Sequence, residues 1–517
     1  MANARNIVNV SSLLEDNSGT GLDHDISAMY GLATPTNSKR GLSSPDDAMV
    51  RNKRLTGLQG SPSTSSANVV KVETPTSVKF SSRTNRGDTL ITFGHLKSSN
   101  WITDNPTLYS CSIKSEGDEV LRKPYRYMYE SLRDKAGVLD EIICRLGQDI
   151  LAHNDMGQEV QSFVQVCHDE IVTLGRICCD EPEGRLNPQS VKLQGNVELS
   201  GGRMVPLDLG QVREFSLFPG QIVAVQGINP SGQKLVAKRI ATDAGLQMPT
   251  KSDRINANSG PLDIIVVSGP FTTKDNLDNE PLKELIKYMR THKPHVAILH
   301  GPFLDIKHQM VENGDLDVAF HEKFNEIMLQ LASETADLPT RMVIVASSRE
   351  AHHHVIYPTP PYVNGLRPED RERFQFVSDP SLVSIEGVVI GLTSSDIMFH
   401  LGREETVMPN SKDRIRRMAS HLLQQRSFYP LYPPNVEMSI DFDKYEQYAT
   451  LSVQPHILIV PSDLAHFFKS INDGLVMNPG RLAKGEQGGV FARLRIHPPS
   501  NDQANFIQRV QGEIVRI

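Results

Sequence analysis

Tryptophan occurs once in this chain, at Trp101, and aromatic residues make up only 6% of it. Hydrophobic content is ordinary at 38%, so a core can be filled, but few rings are left over for stacking on bases. A surplus of positive charge is missing too. The 54 lysines and arginines face 61 aspartates and glutamates, a balance of −7 that argues against a generally basic nucleic-acid binder; a local basic groove stays open. No apolar run approaches the ~20 residues that span a bilayer, and the opening Met-Ala-Asn-Ala-Arg-Asn has no signal-peptide core. The expectation is a soluble intracellular protein with no membrane partner. Cys111, Cys144, Cys167, Cys178 and Cys179 include no Cys-x-x-Cys, which removes a zinc ribbon, and their odd number suits a reducing compartment. Also missing are a Gly-x-Ser-x-Gly elbow, a phosphate-cradling Gly-x-x-x-x-Gly-Lys-Ser/Thr loop and a His-Glu-x-x-His helix.

What is present falls into four stretches. Residues 1–100 are rich in Ser, Thr, Asn, Gly and Asp without sustained periodicity, and such a segment cannot bury enough apolar surface to offset its ordering entropy. It reads as a disordered regulatory tail. Thr34, Ser44, Ser61 and Thr74 each precede a proline, near Lys39-Arg40 and Arg51-Asn52-Lys53-Arg54. From Gly31 to Leu90 nine basic residues face four acidic ones. One reading is a nuclear-import signal beside proline-directed phosphorylation sites; the other is a solvated linker in which these dipeptides are incidental.

Residues 101–165 read as a helical linker segment, because Met128, Leu132, Leu139, Ile143, Leu146 and Ile150 recur at helical spacing, with Gly137 weakening the middle. In 166–245 five strand-like runs (170–179, 191–199, 203–209, 221–229 and 234–240) alternate with glycine and proline turns, which suits a small barrel of the oligonucleotide-binding (OB) type. Only Phe215 and Phe218 supply rings near these strands, so the barrel reads as a protein-docking module in preference to a nucleic-acid binder.

Residues 246–517 change pattern again, after a linker containing Lys251 and Arg254. Fully apolar strands such as DIIVVS, HVAIL, MVIVAS and HILIV alternate with amphipathic helices, the mark of a layered α/β domain. The fold class is therefore α/β plus β.

Ligands of such domains gather where strands end. The strands above lead to Gly269-Pro270-Phe271, Gly301-Pro302-Phe303-Leu304-Asp305, Ser348-Arg349-Glu350 and Ser462-Asp463-Leu464. This order resembles the calcineurin-like phosphoesterases, which place Asp-x-His, Gly-Asp-x-x-Asp, Gly-Asn-His-Asp/Glu and Gly-His-x-His at successive strand ends. Two divalent metals need a bridging carboxylate with oxygen and imidazole ligands around them. Carried over strand by strand, the ligand positions fall on Gly269, Phe271, Pro302, Ser348, Arg349, Ser462 and Leu464. Only Asp305 and Glu350 keep an acid. The resemblance thus implies a phosphoesterase-like domain without its metal ligands, with no cofactor and no catalytic residue. His352, His353 and His354 point apart on a strand or turn and are not expected to converge on one ion.

FSLFPGQIVAVQGIN (215–229), ILHGPFLDIKHQMVEN (298–313), HHHVIYPTPPY (352–362), GLTSSDIMFHLG (391–402), QRSFYPLYPP (425–434) and NPGRLAKGEQGGVFARL (478–494) carry a second, more specific resemblance. They are similar to the B (accessory) subunits of replicative DNA polymerases, in wording those of DNA polymerase α–primase. The resemblance implies a non-catalytic nuclear scaffold that grips the zinc-bearing C-terminal domain of the catalytic subunit. It meets the primase subunits through the complex and DNA mostly indirectly. It also implies a small helical module at the start, whereas this chain opens on polar, low-complexity sequence. Proline- and tyrosine-rich loops make stiff contact surfaces, which nominates Tyr357, Tyr362, Tyr429 and Tyr432 as partner contacts. The competing reading is that these loops cap the domain's own core. Arg481, in Asn478-Pro479-Gly480-Arg481, is nominated as well, the other reading being a tight turn that holds two strands.

Overall fold

The computed structural model describes residues 79–517 apart from 95–99, 108, 110–112, 116–119, 158, 182–183, 250–254, 256–259, 410–412 and 500–504. Thr34, Ser44, Ser61 and Thr74, with the basic clusters beside them, lie outside the described residues, as do Lys251 and Arg254.

A closed barrel forms from strands Cys167–Cys179, Val191–Gln194, Met204–Asp208, Leu235–Ala241 and Ile222–Asn229, in that order around the ring. Numbered along the chain the order is 1-2-3-5-4. The third and fifth strands run parallel and the other pairs antiparallel. This is the Greek-key closure of an OB barrel. Alternating residues such as Ile177, Leu193, Leu207, Val223, Val225 and Leu235 fill its interior. The expected 191–199 strand stops at Gln194. Asn196 then accepts the Leu199 N–H and caps a one-turn helix, Val197–Ser200.

Helix Leu132–His153 packs Ile143, Leu146, Ile150 and Leu151 against Leu174, Ile222 and Ala224 of the barrel. Its start corrects the predicted stripe. Ser131 and Asp134 form a reciprocal capping box there, Met128 lies outside in a left-handed conformation (φ 61°), and Leu132 is exposed.

The layered domain stacks two sheets. The larger has seven strands among the described residues, with Leu262–Ser268, Val296–His300 and Arg341–Val345 parallel at its centre. The smaller has six and includes Val388–Leu392, Ile457–Ile459 and Gly474–Asn478. Ile264, Val266, Ile298 and Val343 of one sheet meet Val383, Ile390, Ile457 and Met477 of the other in a shared apolar layer. Helices Glu280–His292 and Phe320–Glu334 cover the outer face of the first sheet. Helices Ile397–Glu404 and Arg414–Gln424 cover that of the second. Strands buried on both faces explain the continuous apolar runs of the sequence.

Two boundaries move. Thr89–Phe93, assigned to the tail, is an edge strand paired with Val510–Arg516. Ile113–Ser115, assigned to the helical linker, pairs with Ser381–Ile385 at the edge of the smaller sheet. The first of these, TLITF, half-buries only Ile91 and Phe93 against the inter-sheet layer while Leu90 stays exposed, so its short run carries little signal beside the polar residues around it.

Candidate functional site

The carboxyl ends of the central strands meet where the two sheets come together, and each nominated metal position holds something other than a ligand. The Gly269 N–H donates to the His300 carbonyl (2.9 Å), and a Cβ at Gly269 would sit 2.1 Å from the Pro302 carbonyl oxygen. Close approach of two chain segments fixes glycine there. The Gly269-Pro270 and Gly301-Pro302 bonds are both cis. Phe271 stacks on Phe303 with ring centroids 4.4 Å apart, both inside the apolar core. Ser348 lies in the turn after Arg341–Val345. Ser462 and Leu464 serve a loop held by Asn478, whose Oδ1 accepts the Ser462 N–H (3.0 Å) while the Ser462 hydroxyl accepts the Leu464 N–H (3.1 Å).

The charged residues left at this edge are paired with one another. The Arg349 guanidinium donates to both carboxylate oxygens of Asp305, which is 5% exposed. Burial pulls the Arg349 pKa down, but the adjacent Asp305 charge reverses this and holds it above its ordinary value. Glu350 is fully buried and accepts from the Phe303 and Leu304 N–H groups (2.7 and 2.8 Å) and from the Tyr362 hydroxyl (3.2 Å). On the side of the smaller sheet, Arg481 donates to Asp463 Oδ1 (2.8 Å) and Ser268 Oγ (2.9 Å) and lies 3.6 Å from Asp396. Burial raises the Asp463 carboxyl, yet Arg481 more than offsets this and leaves it below its ordinary value. His300, wholly buried, is pushed down to about pKa 3 by burial and then by Arg481, so its ring is neutral at physiological pH.

Guanidinium groups therefore hold the carboxylates at these strand ends in ion pairs. Asp463, between the two positions singled out in the sequence, and Asp396, at the start of helix Ile397–Glu404, were missed because neither falls on a ligand position of the motif. Among the described residues no group of three or more His, Cys, Asp or Glu is arranged to hold a metal ion. The three consecutive histidines diverge. His352 stacks on Phe324, His353 Nε2 lies 2.7 Å from the Pro360 carbonyl, and His354 Nδ1 lies 3.1 Å from the Tyr127 hydroxyl.

The nominated partner contacts require a larger correction. Tyr357, Tyr362, Tyr429 and Arg481 are 1%, 3%, 0% and 8% exposed, so they hold the chain's own interior. Only Tyr432 is half-exposed. A proline-rich segment offers rigid, low-entropy packing, and here the chain uses it on itself. Gln425–Pro434 seats the barrel on the layered domain. Gln425 exchanges hydrogen bonds with Ile222 (2.7 and 3.0 Å), and Arg426 donates to the Ala244 and Gly245 carbonyls and to Asp149 (2.6 Å). The Tyr432 N–H donates to Pro219 O (3.0 Å) beside Gly220, whose φ of 96° and backbone proximity exclude a side chain.

A polar cluster completes this junction. Glu405, its side chain 2% exposed, accepts from Arg417 (2.7 and 2.9 Å) and Ser216 (2.6 Å) and lies 3.1 Å from His421 Nε2. Burial would raise its pKa, but the hydrogen bonds from Arg417, His421 and Ser216 bring it down to about 2. Strand Phe215–Leu217 pairs alongside with Thr406–Met408 of the layered domain. Sequence periodicity carries no trace of this cluster, since its members are scattered over some two hundred residues.

On the barrel surface the lysines are neutralised locally, Lys192 by Asp180, Lys234 by Asp208 and Lys238 by Glu170. No helix among the described residues is long and apolar enough to cross a membrane.

The family of DNA polymerase alpha/epsilon B subunits matches residues 264–469, and the family of OB domains from the DNA polymerase alpha B subunit matches residues 136–242. The second match takes in most of helix Leu132–His153 with the barrel. A mouse protein, named as the B subunit of DNA polymerase alpha, is 36% identical over 95% of this chain and 81% of its own length. The rat protein of the same name is 36% identical over 100% and 86%, and the Schizosaccharomyces pombe one 31% identical over 77% and 72%. Among solved structures, an archaeal phosphodiesterase aligns with 49% of the chain at 12% identity and a TM-score of 0.24, too slight a likeness to carry the fold.

Proposed function

The chain belongs to the B-subunit family of DNA polymerase alpha, and from that premise we propose that it is the non-catalytic scaffold that binds the zinc-bearing C-terminal domain of the catalytic subunit and supports primer synthesis in the nucleus. The observation that carries this reading is the junction built by Gln425–Pro434 and Glu405. It fixes barrel, helix and layered domain as one continuous body, the form a docking platform needs, because a partner that spans pre-set surfaces loses little entropy to ordering them. The strand ends support it as well, since Asp305 and Asp463 there are taken up in ion pairs with Arg349 and Arg481. Primase subunits and DNA are met through the complex. Phe215 and Phe218, the rings nearest the barrel strands, are buried, and Lys192, Lys234 and Lys238 are ion-paired, which suits the barrel poorly to stacking on single strands. Phosphorylation at Thr34, Ser44, Ser61 and Thr74 would offset the tail's basic charge.

Co-expression of the full chain with the C-terminal domain of the catalytic subunit, followed by size-exclusion chromatography with light scattering, tests the proposal. A stable one-to-one complex is expected. Separate elution at micromolar concentration would remove the scaffold reading.

A further inference from the structure

A groove of about 380 Å³ runs between helix Leu132–His153 and the barrel, bordered by the end of the junction loop and apart from the closed strand ends. Leu139 and Ile143 line it from the helix, Val197 and Met204 from the barrel edge, and Pro433 from the loop that seats the barrel. Val197 and Met204 are 62% and 52% exposed, and neighbouring Leu199 is 39% exposed. Single exposed apolar residues are normal, but three within eight positions on the border of one groove form a patch of the kind that marks a contact site.

Arg176 also lines this groove and is only 3% exposed. A guanidinium buried this deeply ordinarily has a carboxylate beside it, because an uncompensated charge pays heavily for leaving water. Here the described residues provide no ion pair. Arg176 donates to the Leu139 carbonyl and lies 5.3 Å from the centre of the Tyr432 ring. Burial holds its pKa below the ordinary value. Two acids line the same groove without pairing with it: Asp140, whose Oδ1 accepts the Val197 N–H at 2.8 Å, and Glu181. The result is an apolar trough lined by a deeply buried guanidinium that feels Asp140 only at longer range and has no carboxylate at ion-pair distance among the described residues.

We propose that this groove receives an apolar segment of the catalytic subunit carrying an aspartate or glutamate, whose carboxylate pairs with Arg176. The inference rests on the scaffold reading and gives it a place and a chemistry. The missing ion-pair partner selects the occupant, since the apolar walls suit aliphatic or aromatic side chains and the buried guanidinium has room for one carboxylate beside it. A phosphodiester chain would instead need a row of cations, which the walls lack.

The test uses the full chain co-expressed with the C-terminal domain of the catalytic subunit. Arg176→Met should weaken the complex at least tenfold while the free chain melts no lower than wild type, because an apolar side chain in place of an unpaired buried charge is tolerated. The double variant Val197→Glu/Met204→Glu, at exposed positions, should weaken binding at least tenfold with an unchanged melting temperature. It keeps the test valid should Arg176→Met fold poorly. A p-benzoylphenylalanine at Met204 should cross-link to the catalytic subunit. If both variants bind within twofold of wild type, the groove is not the dock and the scaffold reading survives. If the wild type forms no complex, both readings fall. If labelled single-stranded DNA binds the wild type and is lost in Arg176→Met, the occupant is nucleic acid and the proposal is overturned.

Discussion

Glu405→Gln probes the junction between barrel and layered domain at its most charged point. The wild-type carboxylate gathers Arg417, His421 and Ser216 around one buried group. Its pKa drops from 4.5 to about 2. At about 1.4 kcal/mol per pKa step, this corresponds to roughly 3–4 kcal/mol of stabilisation. Glutamine keeps the shape, loses the charge and turns an N–H₂ toward the Arg417 donors, so the full loss is expected at neutral pH. For a body of this size, that is a drop of roughly 3–6 °C in melting temperature. The pH dependence makes the assignment specific. A carboxyl held below its ordinary value contributes fully where both folded and unfolded states are ionised, above about pH 4.5. The contribution fades as pH falls through the folded value of about 2. Differential scanning fluorimetry of both proteins should therefore show a constant gap from pH 8 to 5 that narrows below 4.5. An unchanged melting temperature at pH 7, or a gap that widens on acidification, would refute the assignment.

Three further outcomes follow from the same physics. Asp305→Asn strands the Arg349 guanidinium without its counter-ion and should cost about 3–5 kcal/mol, read as a lowered urea midpoint, whereas the paired Asp305→Leu/Arg349→Met change should cost far less. Gly220→Ala puts a methyl 2.3 Å from the Tyr432 nitrogen at a φ of 96°, and should destabilise by about 2 kcal/mol or more, with faster amide exchange in Gln425–Pro434. Fluorescence anisotropy with labelled single-stranded DNA at physiological salt should find no submicromolar binding to the isolated chain, because Phe215 and Phe218 are buried away from any base and Lys192, Lys234 and Lys238 are ion-paired.

Much of the scaffold was legible in the sequence because burial on both faces leaves a mark on every residue of a strand. DIIVVS, HVAIL and MVIVAS could be placed as strands from the sequence, and so could the turns that follow them. Edge strands leave a weaker mark. TLITF buries half a face and pairs with a strand more than four hundred residues away, so local pattern cannot reveal it. The loops around Tyr357 and Tyr429 illustrate a different limit. A stiff aromatic loop looks alike whether it grips a partner or its own domain, and only burial distinguishes the two. Arg481 was nominated as a partner contact, and its actual partners Asp463, Ser268 and Asp396 come from three separate strand ends that only the folded chain brings together.

The central claim is that paired guanidinium and carboxylate groups close the strand ends in place of a metal centre. Metal analysis of the purified full chain after exposure to Mn²⁺ and Zn²⁺, with a bis-p-nitrophenyl phosphate assay on the same sample, tests it most directly. The account predicts substoichiometric metal and no turnover above a buffer control; stoichiometric metal accompanied by hydrolysis would contradict it.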